Sequence, residues 1–335
     1  IEMNSNFEWF TGTVFSYNNF TLAANQNHPQ AQFNLGIIYS DGKYISRDIN
    51  KTIYYYSLAA NQNHPQAQNN LGNIYCEGKY ISRDINKAIY YFSLAANLND
   101  PEAQYNLGII NYEGKYISRD INKAIHYLTL AANQNDPKTQ AYLGNIYYEG
   151  KYISRDIYKA IYYYSLAANQ NFPEAQTNLG NIYYEGKYIS RDINKAIHYY
   201  SLAANQNFSE AQYNLGTIYL NGKYISRDIN KTIHYYSLAA NQNFSEAQYN
   251  LGTIYLNGKY ISRDINKAIH YLTLAANQNY PQAQYNLGFI YYNFFKTQKE
   301  INLGIFWMLE SSERGNIDAC FFIGFLYQEG KHIDK

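Results

Sequence analysis

A Leu-Gly pair returns every 36 residues along this chain of 335 residues and divides almost all of it into copies of one unit. The pairs begin at residues 35, 71, 107, 143, 179, 215, 251 and 287, and an Ile-Gly pair begins at residue 323. Units in such an array contact mainly their neighbours, so chain length measures copy number and not the number of globular domains. The repeat therefore constrains the fold class before any other feature.

The first half of each unit predicts a helix, which we call helix A. In the unit at residues 173–208, apolar and small residues recur at the 3.6-residue spacing of a helix, from residue 175 to residue 183. Pro173 suits the first helical turn, where a missing N–H has no partner to lose. Gly186 suits a left-handed residue that ends the helix. These signals predict helix A at 173–185.

The second half predicts another helix, helix B, after a short loop. Asp192 is a suitable N-cap, because its carboxylate can accept an N–H of the first turn. Small and aromatic residues then form one stripe that ends at Ala203 and Ala204. Asn207 follows, and asparagine tolerates the left-handed conformation better than any residue except glycine. Each unit is therefore predicted to be a helical hairpin.

A single hairpin cannot bury its apolar face, so neighbouring units must stack into a continuous core. Gly180 lies in the middle of helix A, where glycine costs about 1 kcal/mol relative to alanine. Its return in every copy predicts a backbone contact too close for a side chain. Ala203 and Ala204 are expected to serve the same purpose on helix B, with the large tyrosine rings filling the space opposite.

The order of these residue types resembles the Sel1-like repeat, an α/α solenoid family related to the tetratricopeptide repeat. The pattern is Ala, Leu-Gly, Tyr and Gly, followed by Asp, Lys-Ala, two aromatic residues and Ala-Ala, and it recurs from about residue 13 to residue 330. The resemblance implies an all-α, right-handed superhelix of about nine helix-turn-helix units. The family's second glycine is replaced by Tyr44, Tyr80, Tyr116 and their equivalents, and its glycine after helix B is replaced by asparagine.

Divergence between the copies predicts the domain organisation. Residues 1–28 match a partial repeat that is mainly helix B, 29–280 hold seven near-identical repeats, 281–316 form a divergent repeat, and 317–335 match helix A only. Solenoids need polar capping elements, and neither end offers one. We therefore expect the chain to be covalently part of a longer polypeptide.

Composition disfavours several classes of function. The net charge is +1, with 27 basic and 26 acidic residues, so the chain lacks the broad basic field of a nucleic-acid binder. Base stacking on the many tyrosines would need an electropositive groove, although loop lysines such as Lys43 and Lys79 do form a row. No apolar run approaches the length of a membrane span, and no signal peptide is visible. We expect a cytoplasmic protein with no nucleic-acid partner and no direct membrane insertion.

Residue types that often form catalytic or metal sites have simpler interpretations in this pattern. Cys76 and Cys320 lie too far apart along the array for a disulfide framework or a zinc site. One position of helix B holds histidine in four repeats, at residues 126, 198, 234 and 270, but ligands must converge within a few ångströms. The pair Arg47 and Asp48 is interpreted as an N-cap plus an ion pair between loops. We expect no catalytic residue, no metal and no cofactor.

Differences between the copies identify candidate binding positions on helix A. The positions that vary on helix A are those at 30, 33, 37, 40 and 41 and their equivalents, and four of them, 30, 33, 37 and 41, line one stripe opposite Ala31 and Leu35. We call those equivalent to Phe33 and Ile37 the 33-type and 37-type positions. Beside them runs an asparagine ladder, interrupted by Tyr142, at residues 34, 70, 106, 178, 214, 250 and 286. The predicted partner-binding residues are Asn34, Asn70, Tyr105, Asn106, Asn145, Thr177, Asn178, Asn181, Tyr213, Asn214, Thr217, Tyr249, Asn250, Thr253, Tyr285 and Asn286.

Two interpretations of this stripe remain open. A carboxamide has donors and an acceptor and can clamp an extended peptide backbone, as the matching asparagine does in tetratricopeptide groove proteins. Tyrosine and asparagine together supply rigid contact area and adaptable hydrogen bonds. In related solenoids helix A lines the concave surface, which favours a peptide-binding groove there. The alternative is a solvated inner face, or asparagines that bond across repeats.

These features predict a non-enzymatic scaffold or adaptor that binds peptide segments or protein partners in a groove lined by helix A. An alternative is the regulatory or substrate-recruiting tail of a larger protein, such as a protein kinase. The cysteine-rich secreted branch of the family has hydrolase activity and a disulfide in each repeat. Two cysteines in the whole chain argue against membership of that branch.

Overall fold

A computed structural model describes residues 17–43 and 45–330, and every regular element in this part of the chain is an α-helix. The chain divides into two compact units, residues 1–167 and 168–335. The helices at helix-A positions are α2 Pro29–Asp41, α4 Pro65–Glu77, α6 Pro101–Glu113, α8 Pro137–Glu149, α10 Pro173–Glu185, α12 Ser209–Asn221, α14 Ser245–Asn257, α16 Pro281–Phe294 and α18 Ile317–Glu329. The helices at helix-B positions are α1 17–25, α3 Ile49–Ala60, α5 Ile85–Asn97, α7 Ile121–Ala132, α9 Ile157–Asn169, α11 Ile193–Asn205, α13 Ile229–Asn241, α15 Ile265–Asn277 and α17 Gln298–Glu313.

The helix ends follow from the capping residues. Asp192 precedes α11, and its side chain accepts a hydrogen bond from the backbone N–H of Lys195. Gly186 follows α10 at φ 60°, where a side chain would be strained, and its N–H donates to the carbonyl of Ile182. Asn207 also has a positive φ, of 61°. The predicted caps and the predicted span of helix A are confirmed in this unit.

The core lies between helix B of one repeat and helix A of the next. Ala203 and Ala204 of α11 pack with Leu215 of α12, and all three side chains are buried. The buried ring of Tyr200 joins the same cluster. Small residues on α11 let α12 approach closely, and Leu215 fills the space between them.

The glycine in the middle of helix A makes the close contact that the sequence predicted, but mainly with a side chain. Backbone takes part at Gly288, where an added Cβ would lie 2.8 Å from the carbonyl oxygen of Gly304. A Cβ added to Gly180 would lie 2.5–2.6 Å from ring carbons of Tyr200 on helix B of the same repeat. Where leucine takes the place of the tyrosine, a Cβ on Gly108 would meet Leu128 Cγ at 2.5 Å. The glycine therefore makes room for a large side chain that crosses from helix B.

The loop arginines differ from the prediction of an ion pair between loops. Arg119 donates from Nε to the carbonyl of Tyr112 and from a guanidinium nitrogen to that of Glu113, which satisfies the end of α6. Its guanidinium carbon lies 3.8 Å from the ring centre of Tyr152 in the next repeat. Arg47 likewise lies over Tyr80, and the neighbouring Asp48 pairs with a lysine of its own helix. Tyrosine at the position of the family's second glycine thus stacks with the preceding repeat's arginine.

A buried glutamine relay joins three consecutive helices. In α6, Gln104 Nε2 donates to the carbonyl of Ala96 at the end of α5. Its Oε1 accepts from Gln134 Nε2, which follows α7, at 2.8 Å. The same pair of bonds recurs in several repeats and fixes the register of helix A between its two neighbours.

Parts of the predicted terminal repeats lie outside the described residues. These are 1–16 of the partial repeat at 1–28 and 331–335 of the partial repeat at 317–335. The loop residue Tyr44 also lies outside them.

Candidate partner-binding face

The predicted partner-binding residues lie on the helices at helix-A positions, and nearly all of them reach the surface. Fifteen of the sixteen are half-buried and the other is Thr177. The half-buried residues are Asn34, Asn70, Tyr105, Asn106, Asn145, Asn178, Asn181, Tyr213, Asn214, Thr217, Tyr249, Asn250, Thr253, Tyr285 and Asn286. We call the surface that these residues form in each unit the helix-A face.

Thr177 differs from the prediction because it is only 1% exposed. Its hydroxyl donates to the carbonyl of Pro173 at 2.9 Å, within its own helix. The 33-type position lies below the surface, so the short side chains there, Asn69, Ala141 and Thr177, are buried. Only an aromatic ring such as that of Tyr213 is long enough to reach out. Thr177 is therefore not a contact residue of this face.

The asparagine ladder bonds between repeats at some positions. Asn106 Nδ2 donates to Asn69 Oδ1 at 3.2 Å and to Asn73 Oδ1 at 3.1 Å, which ties α6 to α4. In the other unit, Asn214 Nδ2 donates to Asn181 Oδ1 at 3.3 Å. The alternative interpretation of the ladder is thus observed for these residues. A carboxamide has two N–H groups and an acceptor oxygen, so Asn106 keeps its oxygen, and Asn214 its oxygen and one N–H, for a ligand.

Buried tyrosines of helix B hold the polar 37-type residues in place. The hydroxyl of Tyr164 donates to Asn145 Oδ1 at 2.6 Å, and that of Tyr200 donates to Asn181 Oδ1 at the same distance. The sequence predicts only that these tyrosines fill space. The sequence carries no consistent signal for this contact, because the same two positions hold Asn73 with Phe92 in one repeat and Ile37 with Tyr56 in another.

Burial also sets the protonation of these tyrosines. Desolvation disfavours the charged phenolate and raises the pKa of Tyr236 to about 12, although hydrogen bonds with Thr217 and Asn250 oppose the shift. The same burial raises the pKa of Tyr164 and of Tyr200. These hydroxyls remain protonated at physiological pH and act as donors beneath the helix-A face.

Three cavities open on the helix-A face at equivalent positions of different repeats. Their volumes are about 340, 190 and 240 Å³, and we call them cavities 1, 2 and 3. Each is bounded by a ladder asparagine, the 37-type residue, the isoleucine after it, the last residue of helix A, and the Lys-Tyr pair of the loop. In cavity 1 these are Asn70, Asn73, Ile74, Glu77, Lys79 and Tyr80; in cavity 2 Asn106, Ile109, Ile110, Glu113, Lys115 and Tyr116; and in cavity 3 Asn250, Thr253, Ile254, Asn257, Lys259 and Tyr260.

The cavities differ in charge. Cavity 1 is also lined by Asp41 and cavity 2 by Glu77, so each has two carboxylates and one lysine. Cavity 3 has Lys259 and no carboxylate among its lining residues. The residue that ends helix A belongs to the stripe of helix A that varies in the sequence, but neither it nor the loop Lys-Tyr pair is among the predicted partner-binding residues. The sequence shows these residues on either side of the glycine that follows helix A in most repeats. Their position around a cavity, however, depends on how neighbouring repeats stack.

The remaining candidate chemistries find no geometric support in the described residues. Each helix-B histidine packs edge-on against the tyrosine that follows it, as His198 does against Tyr199. Within residues 17–43 and 45–330, no three His, Cys, Asp or Glu side chains are placed to hold a metal ion. Many tyrosines pair with one another, as Tyr183 and Tyr199 do with ring planes 5° apart. None of the described helices combines the length and the apolar character needed to cross a bilayer.

A family model described as Sel1 repeat matches nine consecutive segments of the sequence. They are residues 29–64, 65–100, 101–136, 137–172, 173–208, 209–244, 245–280, 281–316 and 317–335. The chain belongs to the Sel1 repeat family. A search of curated proteins gave no significant match to this Sel1 repeat chain.

Two solved structures are similar to this Sel1 repeat protein over most of its length. One is c5321, described as a protective antigen present in uropathogenic Escherichia coli strains displaying an SLR fold, at 29% identity and a TM-score of 0.76. That alignment covers 94% of this chain and 68% of c5321. The other is a Sel1 repeat protein from Oxalobacter formigenes, at 28% identity and a TM-score of 0.76. That alignment covers 92% of this chain and 90% of the Oxalobacter formigenes protein. The predicted all-α repeat-solenoid fold class is confirmed.

Proposed function

We propose that this Sel1 repeat protein is a non-enzymatic scaffold or adaptor. It binds peptide segments or protein partners along the helix-A face, in the groove that sequence analysis predicts there. Membership of the Sel1 repeat family supports a role in protein–protein interaction. The residues of this face that differ between repeats determine which partner binds, because the core residues barely change.

The observation that supports this function most strongly is the register of the three cavities. A binding site for a cofactor or small substrate is usually a single cavity of about 300–1,000 Å³. Here openings of about 190 to 340 Å³, two of them below that range and one near its lower end, recur at the same position of different repeats. Each has room for one side chain of a partner. Within the unit at 1–167, the openings of cavities 1 and 2 lie on consecutive repeats, which fits an extended polypeptide better than a compact ligand.

The surroundings of the cavities fit the same use. The half-buried asparagines supply donors and acceptors for a peptide backbone, and the half-buried tyrosines supply rigid contact area. The buried tyrosine hydroxyls hold Asn145 and Asn181 in fixed rotamers, so little side-chain entropy is lost when a ligand binds. The face is thus preorganised for an extended chain.

A pair of tryptophan variants tests this proposal. Asn73 lines both cavity 1 and cavity 2, so Asn73→Trp fills both entrances. Phe289 occupies the equivalent position in the divergent repeat, which indicates that a large ring is tolerated there. The control is Tyr90→Trp on α5, where the ring is 58% exposed and lines neither cavity. Linear peptides are first selected from a random library against the unaltered protein.

We expect the selected peptides to bind Asn73→Trp at least about tenfold more weakly, a change of about 1.4 kcal/mol, and to bind Tyr90→Trp unchanged. Circular dichroism checks that both variants keep their helices. Unchanged binding to a folded Asn73→Trp variant would overturn the proposal, as would a failure of the library to yield any binder.

A further inference from the structure

We infer, building on the proposed function, that the partner is an extended segment in the polyproline II conformation with a basic side chain at every third residue. Successive basic side chains enter cavity 1 and cavity 2. Three features of residues 37–116 lead to this conclusion: the spacing of the helices, the charge of the cavities, and the apolar lining beneath that charge.

The spacing of cavities 1 and 2 is set by the stacking of successive repeats, in which α5 packs against α4 and α6 and brings them side by side. Their side chains bond directly, since Asn106 Nδ2 reaches both Asn69 and Asn73. Helices in contact lie about 8–10 Å apart, so equivalent cavities repeat at about that distance. In a β-strand, residues on one face repeat about every 6.6 Å, which is too short. In polyproline II every third residue shares a face, and the repeat is about 9.3 Å. Of these two conformations, only polyproline II places a side chain in each cavity.

The charge of cavities 1 and 2 selects a basic side chain. Asp41 and Glu77 line the first, and Glu77 and Glu113 line the second. Among the described residues, none of these three carboxylates forms an ion pair. The lysine in each cavity, Lys79 or Lys115, lies about 5 Å from the ring centre of the loop tyrosine beside it. Arg47 and Arg83 bond to other lining residues of cavity 1 and cavity 2, through backbone carbonyls and, for Arg47, the Tyr80 hydroxyl. Each cavity is therefore lined by two carboxylates and one lysine, and these carboxylates are available to a cationic guest.

The lining below the carboxylates is apolar. Ile37, Ile74 and the ring of Tyr56 line cavity 1, and Ile110 and Phe92 line cavity 2. Lysine and arginine bury their methylene stems against such surfaces while the charged head stays at the polar rim. Apolar walls with acidic rims thus match the two parts of one side chain.

Cavity 3 provides the contrast within the same chain. Asn257 takes the place of the carboxylate, and Lys259 remains. A basic guest would meet only a like charge there. The inference therefore assigns basic side chains to cavities 1 and 2 and not to cavity 3.

Synthetic peptides of defined spacing test the inference. The probe is a fluorescent peptide of repeated Lys-Pro-Pro, which adopts polyproline II and places lysine at every third residue. One comparison peptide is repeated Glu-Pro-Pro, and another has the same number of lysines at alternate residues. Fluorescence anisotropy at low salt should rank Lys-Pro-Pro first, with the other two bound at least about tenfold more weakly.

A matched pair of charge variants links that binding to the cavities. Glu77→Gln removes the carboxylate that both cavities share and should weaken Lys-Pro-Pro binding by about fivefold. Glu313→Gln removes an exposed carboxylate at the end of α17, outside the three cavities, and should leave it unchanged. If both variants bound Lys-Pro-Pro equally weakly, binding would depend only on the net charge of the protein, which would overturn the inference.

The outcomes separate the inference from the proposed function. If library peptides bind through Asn73 but have no basic residue at every third position, the scaffold function stands and the inference fails. If Lys-Pro-Pro peptides bind no better than peptides with alternate lysines, the spacing argument is wrong. If no linear peptide binds at all, both fail.

Discussion

At the residue scale, a close contact between a glycine of helix A and an aromatic ring of helix B explains why both residue types recur. Gly180 has no side chain because the ring of Tyr200 occupies that space, and Tyr200 in turn reaches Asn181 on the helix-A face. A single contact thus links the core to the surface. This accounts both for a glycine that weakens the helix in every copy and for part of the abundance of tyrosine.

A pair of alanine substitutions tests the glycine. Gly180→Ala should lower the free energy of unfolding by about 1–3 kcal/mol, because the buried ring of Tyr200 has nowhere to move. Gly324→Ala in α18 should raise it by up to about 1 kcal/mol, because nothing lies within 4 Å and alanine favours the helix. Thermal unfolding followed by circular dichroism distinguishes the two. Equal gains in melting temperature would mean that the contact at Gly180 is not tight.

The sequence predicted the existence of this contact but not its partner. Recurrence of Gly180 indicated a close approach, whereas the identity of the approaching group depends on the rotamer of a residue on another helix. Thr177 illustrates the same limit. Its variability suggested exposure, but whether a side chain reaches solvent depends on its length relative to the depth of its Cβ.

At the scale of helices, the glutamine relay fixes how each helix A sits between its two neighbours. The relay is incomplete in the repeat at 65–100, where Leu98 occupies the donor position after α5. Gln68 Oε1 is buried there without a hydrogen-bond partner. A buried acceptor without a partner typically costs about 1–3 kcal/mol.

Completing the relay should stabilise the protein. Leu98 is 45% exposed, so Leu98→Gln removes little buried apolar surface and supplies the missing donor to Gln68. We expect a gain of about 1 kcal/mol. The matched control, Gln134→Leu, should cause a loss of similar size by orphaning Gln104. Thermal melting measures both, and a loss of stability in Leu98→Gln would show that the relay does not act through this bond.

Helix ends were predictable because a local residue determines each of them. Gly186 and Asp192 determine their caps without help from other repeats. The position of the Arg119 side chain was not predictable, because its guanidinium contacts the ring of Tyr152, which lies 33 residues later in the next repeat. Contacts within one hairpin follow from sequence, and contacts between hairpins need the stacking geometry.

At the scale of the whole molecule, the net charge is close to zero, but the acidic residues that end the helices at helix-A positions are unevenly distributed along the chain. In the unit at 1–167, the residue that ends helix A is acidic in each repeat, at Asp41, Glu77, Glu113 and Glu149. In the unit at 168–335 it is Glu185 in α10, Asn221 in α12, Asn257 in α14, Phe294 in α16 and Glu329 in α18. The sequence contains this order, but its meaning depends on the cavities that these residues line. The two units therefore offer different chemistry on equivalent surfaces.

The central claim is that partners bind the helix-A face, and hydrogen exchange tests it most directly. Amide exchange is measured by mass spectrometry with and without a peptide selected from the random library. We predict slower exchange in the C-terminal turns of α4 and α6 and in the loop residues 79–80 and 115–116, with α3 and α5 unchanged. Slower exchange confined to α3 and α5, on the side of Tyr54 and Tyr90, would contradict the claim.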